Sequence, residues 1–400
     1  MLEIGLVGKP NTGKSTFFNA ATLADAPMGG YPFTTIDANI GVTYVRSDCP
    51  CQDFEVECNP RNSRCENGVR YVPVRVIDVA GLVKGAYEGR GLGNQFLDNL
   101  RMAAVLVHVI DAAGATNEEG EPCSPGTQDP LEDAEFLESE VDQWINGILK
   151  EGWERFARKT RLEQKNIVNS IAERMSGLGV KAKHVSKAIR SIGADSENLE
   201  KWSEEDLTHF ASEIRRVSKP IMIAANKIDL PKAEENVERI SNSGRLTIPT
   251  SAEAELALRK AAEKGFIDYT PGASDFDILE KEKLDEKQTQ ALKSIKKLLD
   301  KWGSTGIQQV IDEAIYHLLG MIVVYPVDDE NKLTDKKENV LPDAMLVPEG
   351  ITAREFAYEI HSDLGDTFIN AINARTNRRI GEDYKLKDGD VIKIIAGKGR

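Results

Sequence analysis

Eight residues near the amino end, Gly8-Lys9-Pro10-Asn11-Thr12-Gly13-Lys14-Ser15, set two glycines, a lysine and a hydroxyl at the spacing that cradles a phosphate chain. They stand between an apolar run at 3–8 and a helical pattern at 13–22. Glycines let the main chain curl until its amides face phosphate oxygens, and the start of the next helix adds favourable partial charge. Gly8, Lys9, Pro10, Asn11, Thr12, Gly13, Lys14, Ser15 and Thr16 are the expected phosphate-binding residues. Lys14 is spaced to reach the β- and γ-phosphates, and the Ser15 hydroxyl to hold magnesium.

A base needs its own reader. Asn226-Lys227-Ile228-Asp229 follows an apolar strand pattern, so its side chains emerge at the carboxyl edge of a sheet. The Asp229 carboxylate can accept from the ring N–H and the exocyclic amine of guanine. Adenine presents an acceptor at the ring position and would leave the acid poorly paired. Thr250-Ser251-Ala252 follows the next strand and offers a main-chain amide for the guanine oxygen. Asn226, Lys227, Asp229, Ser251 and Ala252 together favour GTP over ATP.

Two further stretches look responsive to a third phosphate. In "YPFTT", 31–35, Thr35 rather than Thr34 is the threonine that magnesium and the γ-phosphate would recruit. In "DVAGL", 78–82, Asp78 would bind magnesium through water and the Gly81 amide would touch the γ-phosphate. Lys14, Thr35, Asp78 and Gly81 are thus the expected catalytic set. Leu82 stands where many small nucleotide hydrolases place a glutamine that orients water, and leucine makes no hydrogen bond.

The elements that must position these groups are legible as runs. "EIGLVG" (3–8), "VPVRVID" (72–78), "AVLVHVID" (104–111) and "KPIMIAANK" (219–227) read as strands; 13–22 and 251–264 read as helices. Such alternation predicts an α/β fold with a mostly parallel, three-layer sheet. The connection from 112 to 218 is far longer than a usual crossover. Val141, Trp144, Ile145, Ile148, Trp153 and Phe156 recur at helical spacing, as do Val185, Ile189 and Ile192, and their plain reading is helix core packing. The expected organisation is a nucleotide-binding first part, 1–130, with a cysteine-rich insert at 46–70. A helical insertion, 131–216, a second part of the nucleotide domain, 217–319, and a small α+β domain, 320–400, follow.

The chain has 400 residues, a net charge of -14 and 40% hydrophobic content, the profile of a multi-domain globular protein rather than a coat for nucleic acid. The amino terminus does not read as a signal peptide, and the apolar run at 103–115 is broken by His108 and Asp111. The expectation is a cytoplasmic, monomeric protein without a membrane partner.

With these residues assembled, the chain resembles the Obg-related GTPases, most closely their YchF-like (Obg-like ATPase) branch. The resemblance rests on "GKPNTGKST", "YPFTTIDANIG" (31–41) and "DVAGLVKGAYEGRGLGNQFL" (78–97). The last domain resembles a TGS domain, a β-grasp fold, through "EFAYEIHSDLG" (355–365) and "LKDGDVIKI" (386–394). Branch members that prefer ATP carry an altered base motif; "NKID" is retained here, so the resemblance is to a GTP-selective, archaeal-type member. It implies a hydrophobic residue at Leu82 as a family trait and slow hydrolysis stimulated by potassium, held by Asn11, or by a partner. TGS domains imply ribosome or RNA contact. From 367 onward eight Lys or Arg (Arg375, Arg378, Arg379, Lys385, Lys387, Lys393, Lys398, Arg400) face four acids, a surplus able to meet phosphates or simply to be solvated. His361 reads as structural. Two rivals remain: an ATPase of the same fold, and an RNA or protein interaction module with a structural nucleotide pocket.

Four of five cysteines crowd into one polar stretch: Cys49, Cys51, Cys58 and Cys65. A segment so poor in apolar residues needs another source of order. Zinc on four thiolates, two disulfides and free thiols are all open, because the spacing lacks the usual C-x₂-C pair. Cys123 stands apart.

Overall fold

Residues 1–22, 40–79, 100–195 and 197–397 are described by the structure, a computed structural model. Thr35, Gly81 and Leu82, most of 31–41 and 78–97, and Lys398 and Arg400 lie outside the described residues.

The apolar runs form β1 (Glu3–Val7), β2 (Ile40–Asp48), β3 (Arg64–Glu66), β4 (Val69–Asp78), β5 (Val105–Asp111), β6 (Ile221–Asn226) and β7 (Thr247–Pro249). They make one sheet ordered β2-β4-β1-β5-β6-β7, with β3 on β4. From β4 to β7 every neighbour is parallel, and β2 runs antiparallel to β4. β5, at the centre, is buried along its whole length, which is why its sequence is a continuous apolar run rather than an alternation. A short ribbon, β8 (Ile267–Asp268) and β9 (Asp277–Ile278), stands apart from it.

Helices cover both faces: α1 (Lys14–Thr22), α2 (Pro130–Lys150), α3 (Trp153–Leu162), α4 (Ile167–Arg174), α5 (Ala182–Ile192), α6 (Glu204–Ser218), α7 (Ala233–Asn242), α8 (Ala252–Glu263), α9 (Glu286–Trp302) and α10 (Ile307–Glu313). The helical stretch expected at 131–216 packs on the sheet at both its ends. Leu137, Val141 and Ile145 of α2 and Phe210 and Ile214 of α6 share one core with Val7, Ile77 and Leu106 of the sheet. α3 to α5 extend the same core, where aromatic rings meet at an angle: Trp202 lies 5.5 Å from Trp153, tilted, and 5.1 Å from Phe210, edge to face. The aromatics at helical spacing are core residues, as their periodicity predicts.

The last domain folds as a second sheet from β10 (Met321–Pro326), β11 (Met345–Pro348), β12 (Phe368–Asn373), β13 (Arg378–Ile380) and β14 (Val391–Ala396), ordered β11-β10-β14-β12-β13. Two helices pack on it, α11 (Ala353–Ile360) and α12 (Ser362–Asp366). Thr352 and Glu355 close a capping box at the start of α11, and Phe356 is fully buried. His361 breaks the helix in extended backbone, and its Nδ1 accepts the Asp363 amide at 3.2 Å. Val323, Tyr325 and Leu341 join Val45 and Val72 in one apolar cluster, so the two domains share a core. Among the described residues no helix is long and apolar enough to cross a membrane.

One buried group makes the sheet sensitive to acid. His108, in the middle of β5, is fully enclosed, and burial, helped by the charge of Lys9, pushes its pKa down to about 3. The unfolded chain binds this proton below about pH 6.5 and the folded chain does not. Stability is therefore complete above that pH and falls towards pH 3 by up to about 1.4 kcal/mol per unit. His108→Gln should flatten the decline of Tm between pH 6 and pH 4, measured by calorimetry.

Candidate nucleotide site

The phosphate loop curls between the end of β1 and α1, against the carboxyl ends of β5 and β6. Close packing there demands the glycines. A Cβ on Gly8 would lie 2.4 Å from the Val109 carbonyl oxygen. Gly13 has φ +94°, and a Cβ on it would lie 2.2 Å from Asn226 Nδ2. That amide is the hub of the site. Asn226 Nδ2 donates to the Thr12 carbonyl at 2.9 Å, and its Oδ1 accepts the Ala252 amide at 3.0 Å. One side chain thus joins the phosphate loop, the end of β6 and the start of α8.

A cavity of about 590 Å³ opens beside this hub, within the range of small-molecule sites. Lys14, Ser15 and Thr16 line one end and Lys227 and Asp229 the other. The Lys14 ammonium lies against the Asp78 carboxylate, and Ser15 Oγ donates to Asp78 Oδ2 at 3.3 Å. Asp229 is held at the rim by the Ser251 hydroxyl, which donates to its Oδ1 at 2.9 Å. Lys227 has φ +66° and reaches Asp111 at 2.7 Å, leaving its methylene stem beside the cavity.

Three of these residues have committed groups. Lys9 sits in the loop, but its ammonium is buried on Asp133 at 2.7 Å and on the Asn117 carbonyl at 2.9 Å, so only its main chain can serve a phosphate. The Thr12 side chain is also buried, bonded back to the Lys9 carbonyl at 3.1 Å. Of the 250–252 amides, that of Ala252 is engaged by Asn226, and Glu253, one residue on, lines the cavity.

Sequence reading missed Leu230 and Glu253, which line the cavity directly after its two base motifs. It also missed the loop after β5. Asn11, at φ +62°, donates from Nδ2 to the Gly120 carbonyl at 2.8 Å, and a Cβ on Gly120 would meet Pro10 at 2.9 Å. Nothing local in the sequence joins positions so far apart.

A second cluster lies away from the cavity. The sulfurs of Cys49, Cys51, Cys58 and Cys65 all fall within 4.8 Å of one another. Burial and the neighbouring Cys49 push the Cys51 thiol up to about 12. For Cys49 burial is outweighed by the Cys51 amide and the Arg70 charge, which hold it below its ordinary value. Cys123 is remote, its thiol turned to the Gly114 carbonyl. In the last domain, Arg375 pairs with Asp53 and Lys393 with Glu330, while Arg378, Arg379, Lys385 and Lys387 are exposed.

Comparison with known proteins follows the same division. Residues 3–143 match a family described as 50S ribosome-binding GTPase. Residues 224–329 match the G4 motif-containing domain of the Obg-like GTPase YGR210-like family, and residues 337–396 match the TGS domain. A GTP-binding protein of Methanocaldococcus jannaschii is 50% identical over 398 residues, covering 99% of each chain. The crystal structure of a GTP binding protein from Pyrococcus horikoshii OT3 has TM-score 0.80 at 44% identity, over 99% of this chain and all of that one. The ribosome-binding ATPase YchF of Bacillus subtilis is 28% identical over 98% of both chains.

Proposed function

The chain belongs to the YchF-like Obg family of P-loop GTPases with a carboxyl-terminal TGS domain, and on that premise we propose that it binds GTP, hydrolyses it to GDP and phosphate, and uses the difference as a switch on the ribosome. The observation that carries the reading is the Asn226 hub. It locks the phosphate loop to the base motif, so a ligand must offer phosphates and a suitable base at one fixed separation. Asp229, steadied by Ser251, favours guanine through its two acceptor oxygens.

Phosphoryl transfer depends on position and charge more than on covalent help from the protein. Main-chain amides of the loop and Lys14 bind and orient the phosphates. The triphosphate competes with Asp78 for the Lys14 ammonium and frees that carboxylate. Ser15 Oγ and Asp78 then present the hard oxygen donors that suit magnesium. Bound there, the ion would offset charge gathering on the phosphate oxygens. Thr35 and Gly81 are assigned to the γ-phosphate and Leu82 to neither water nor phosphate, so water must be oriented by another group.

Asn11 supports potassium in that role. Its Nδ2 is committed to Gly120, and its Oδ1 has no partner among the described residues, leaving an oxygen for a monovalent cation. Hydrolysis in potassium should exceed that in sodium by about tenfold, and Asn11→Ala should erase the difference. Equal rates in both salts, with Asn11→Ala inert, would remove potassium from the reading.

Exposed Arg378, Arg379, Lys385 and Lys387 support contact with ribosomal phosphates. Sedimentation with ribosomes tests the switch. Retention with a non-hydrolysable GTP analogue and release with GDP is the expected result. No retention in either state, with nucleotide occupancy measured, would sink it.

A further inference from the structure

The stretch between β2 and β4 has no core of its own, yet it is tightly ordered. The Cys49 amide donates to the Gly68 carbonyl at 2.8 Å and the Val56 amide to the Cys51 carbonyl at 3.0 Å. Its centre is the sulfur cluster. Cys49 and Cys58 Sγ are 3.9 Å apart, and Cys51 and Cys65 Sγ are 3.8 Å apart. Disulfide sulfurs lie at about 2.05 Å, so neither pair is bonded. Four sulfurs about 2.3 Å from a tetrahedral zinc ion stand about 3.8 Å from each other, which is the edge seen in both pairs.

Charge separates zinc from four neutral thiols. Arg70 is the largest fully buried side chain, at 0% exposure, and no carboxylate pairs with it among the described residues. Its guanidinium donates to Ser63 Oγ at 2.9 Å, to the Leu341 carbonyl at 3.1 Å and to Cys49 Sγ at 3.2 Å. A buried cation surrounded by neutral acceptors alone is strongly disfavoured. A divalent ion on four thiolates is a net dianion, and Cys49 brings it into contact with the guanidinium. Four neutral thiols, or two disulfides, would supply no such charge.

The same loop faces the last domain. Between Cys58 and Cys65, the Asn59 amide donates to the Val340 carbonyl at 3.1 Å and the Arg61 amide to the Pro342 carbonyl at 2.7 Å. Asn62 exchanges two bonds with the Ala344 main chain, at 2.9 and 3.0 Å. Arg61 pairs with Asp343 at 2.7 Å. Between Cys51 and Cys58, Asp53 receives Arg375 at 2.7 Å. We propose that Cys49, Cys51, Cys58 and Cys65 bind one zinc ion as a structural tetrathiolate, and that the loop it orders is the seat on which the TGS domain docks. The site stands apart from the nucleotide cavity and its existence does not rest on the GTPase reading.

Full-length protein, purified without chelators or metal resins, should contain about one equivalent of zinc by elemental mass spectrometry. A mercurial thiol reagent should release it, and Cys123→Ser should retain it. Less than about a tenth of an equivalent would overturn the site, whether the thiols prove free or a mass deficit of about 4 Da reveals two disulfides. An equivalent of iron would overturn it as well. Loss of the ion should raise proteolytic cleavage at 46–68 and 327–344 by about tenfold, with affinity for a fluorescent GDP analogue held within about threefold. Unchanged protection at both segments after zinc release would overturn the docking role. The wild-type metal content decides the first part even if Cys58→Ser or Cys65→Ser fails to fold.

Discussion

Replacing Lys14 with alanine should lower GTP turnover by about 1,000-fold or more, while the chain stays folded. The side chain rises from the first residue of α1 into the cavity and lies against Asp78. On the proposed function it is the mobile positive charge that would leave the carboxylate, follow the phosphates and meet negative charge as it builds. A preorganised donor of this kind contributes most where water is excluded, and its side chain is only 11% exposed. Single-turnover hydrolysis measures the loss, and circular dichroism with the thermal midpoint checks the fold. Asp78 is only 15% exposed, so its unpaired carboxylate should lower the thermal midpoint, and that shift separates lost stability from lost chemistry. If Lys14→Ala hydrolyses GTP at the normal rate, the pocket is not catalytic and the interaction-module reading takes precedence. If turnover collapses while ribosome retention persists in the triphosphate state, chemistry and binding are separable steps of one switch.

How much of this was legible in the sequence depended on how local the cause was. The phosphate loop, the central strands and the helical spacing of Trp144 and Trp153 are set by neighbours in the chain, and they stand where the pattern puts them. Where the Lys9 side chain goes is not legible, because its partner, Asp133, lies on α2, far along the chain. Asn226 reads as a base contact in the sequence, and its two bonds across the fold add a bracing role that no local pattern announces. The four cysteines drew notice, but Arg70, whose buried charge gives the cluster its chemical meaning, looks like any strand arginine until β4 and Leu341 are brought together. β13, with three residues among charged turns, is too short to carry a strand pattern. Thr35, Gly81 and Leu82 rest on the sequence alone, since they lie outside the described residues.

Asp229→Asn should turn the base site inside out, weakening GTP by about 1,000-fold and favouring a xanthine nucleotide in its place. The argument starts from Ser251. Its hydroxyl donates to Asp229 Oδ1 at 2.9 Å, and the same bond would fix an asparagine with its oxygen on the serine side. That oxygen still accepts the ring N–H. The amide nitrogen then faces the position filled by the guanine amine, donor against donor, whereas xanthine places a carbonyl there. Competition against a fluorescent GDP analogue reads all three nucleotides. The same assay on the unchanged protein separates GTP from ATP, because adenine turns an acceptor toward the acid where guanine turns a donor. Equal displacement by ATP and GTP would remove Asp229 as the selector and make the ATPase of the same fold the better description. Selectivity for guanine that is lost in Asp229→Asn, with phosphate contacts unchanged, would tie it to two oxygen atoms at the rim. Asn226 then explains why such a local choice reaches the phosphates: it joins the strand that carries Asp229 to the loop that carries Lys14.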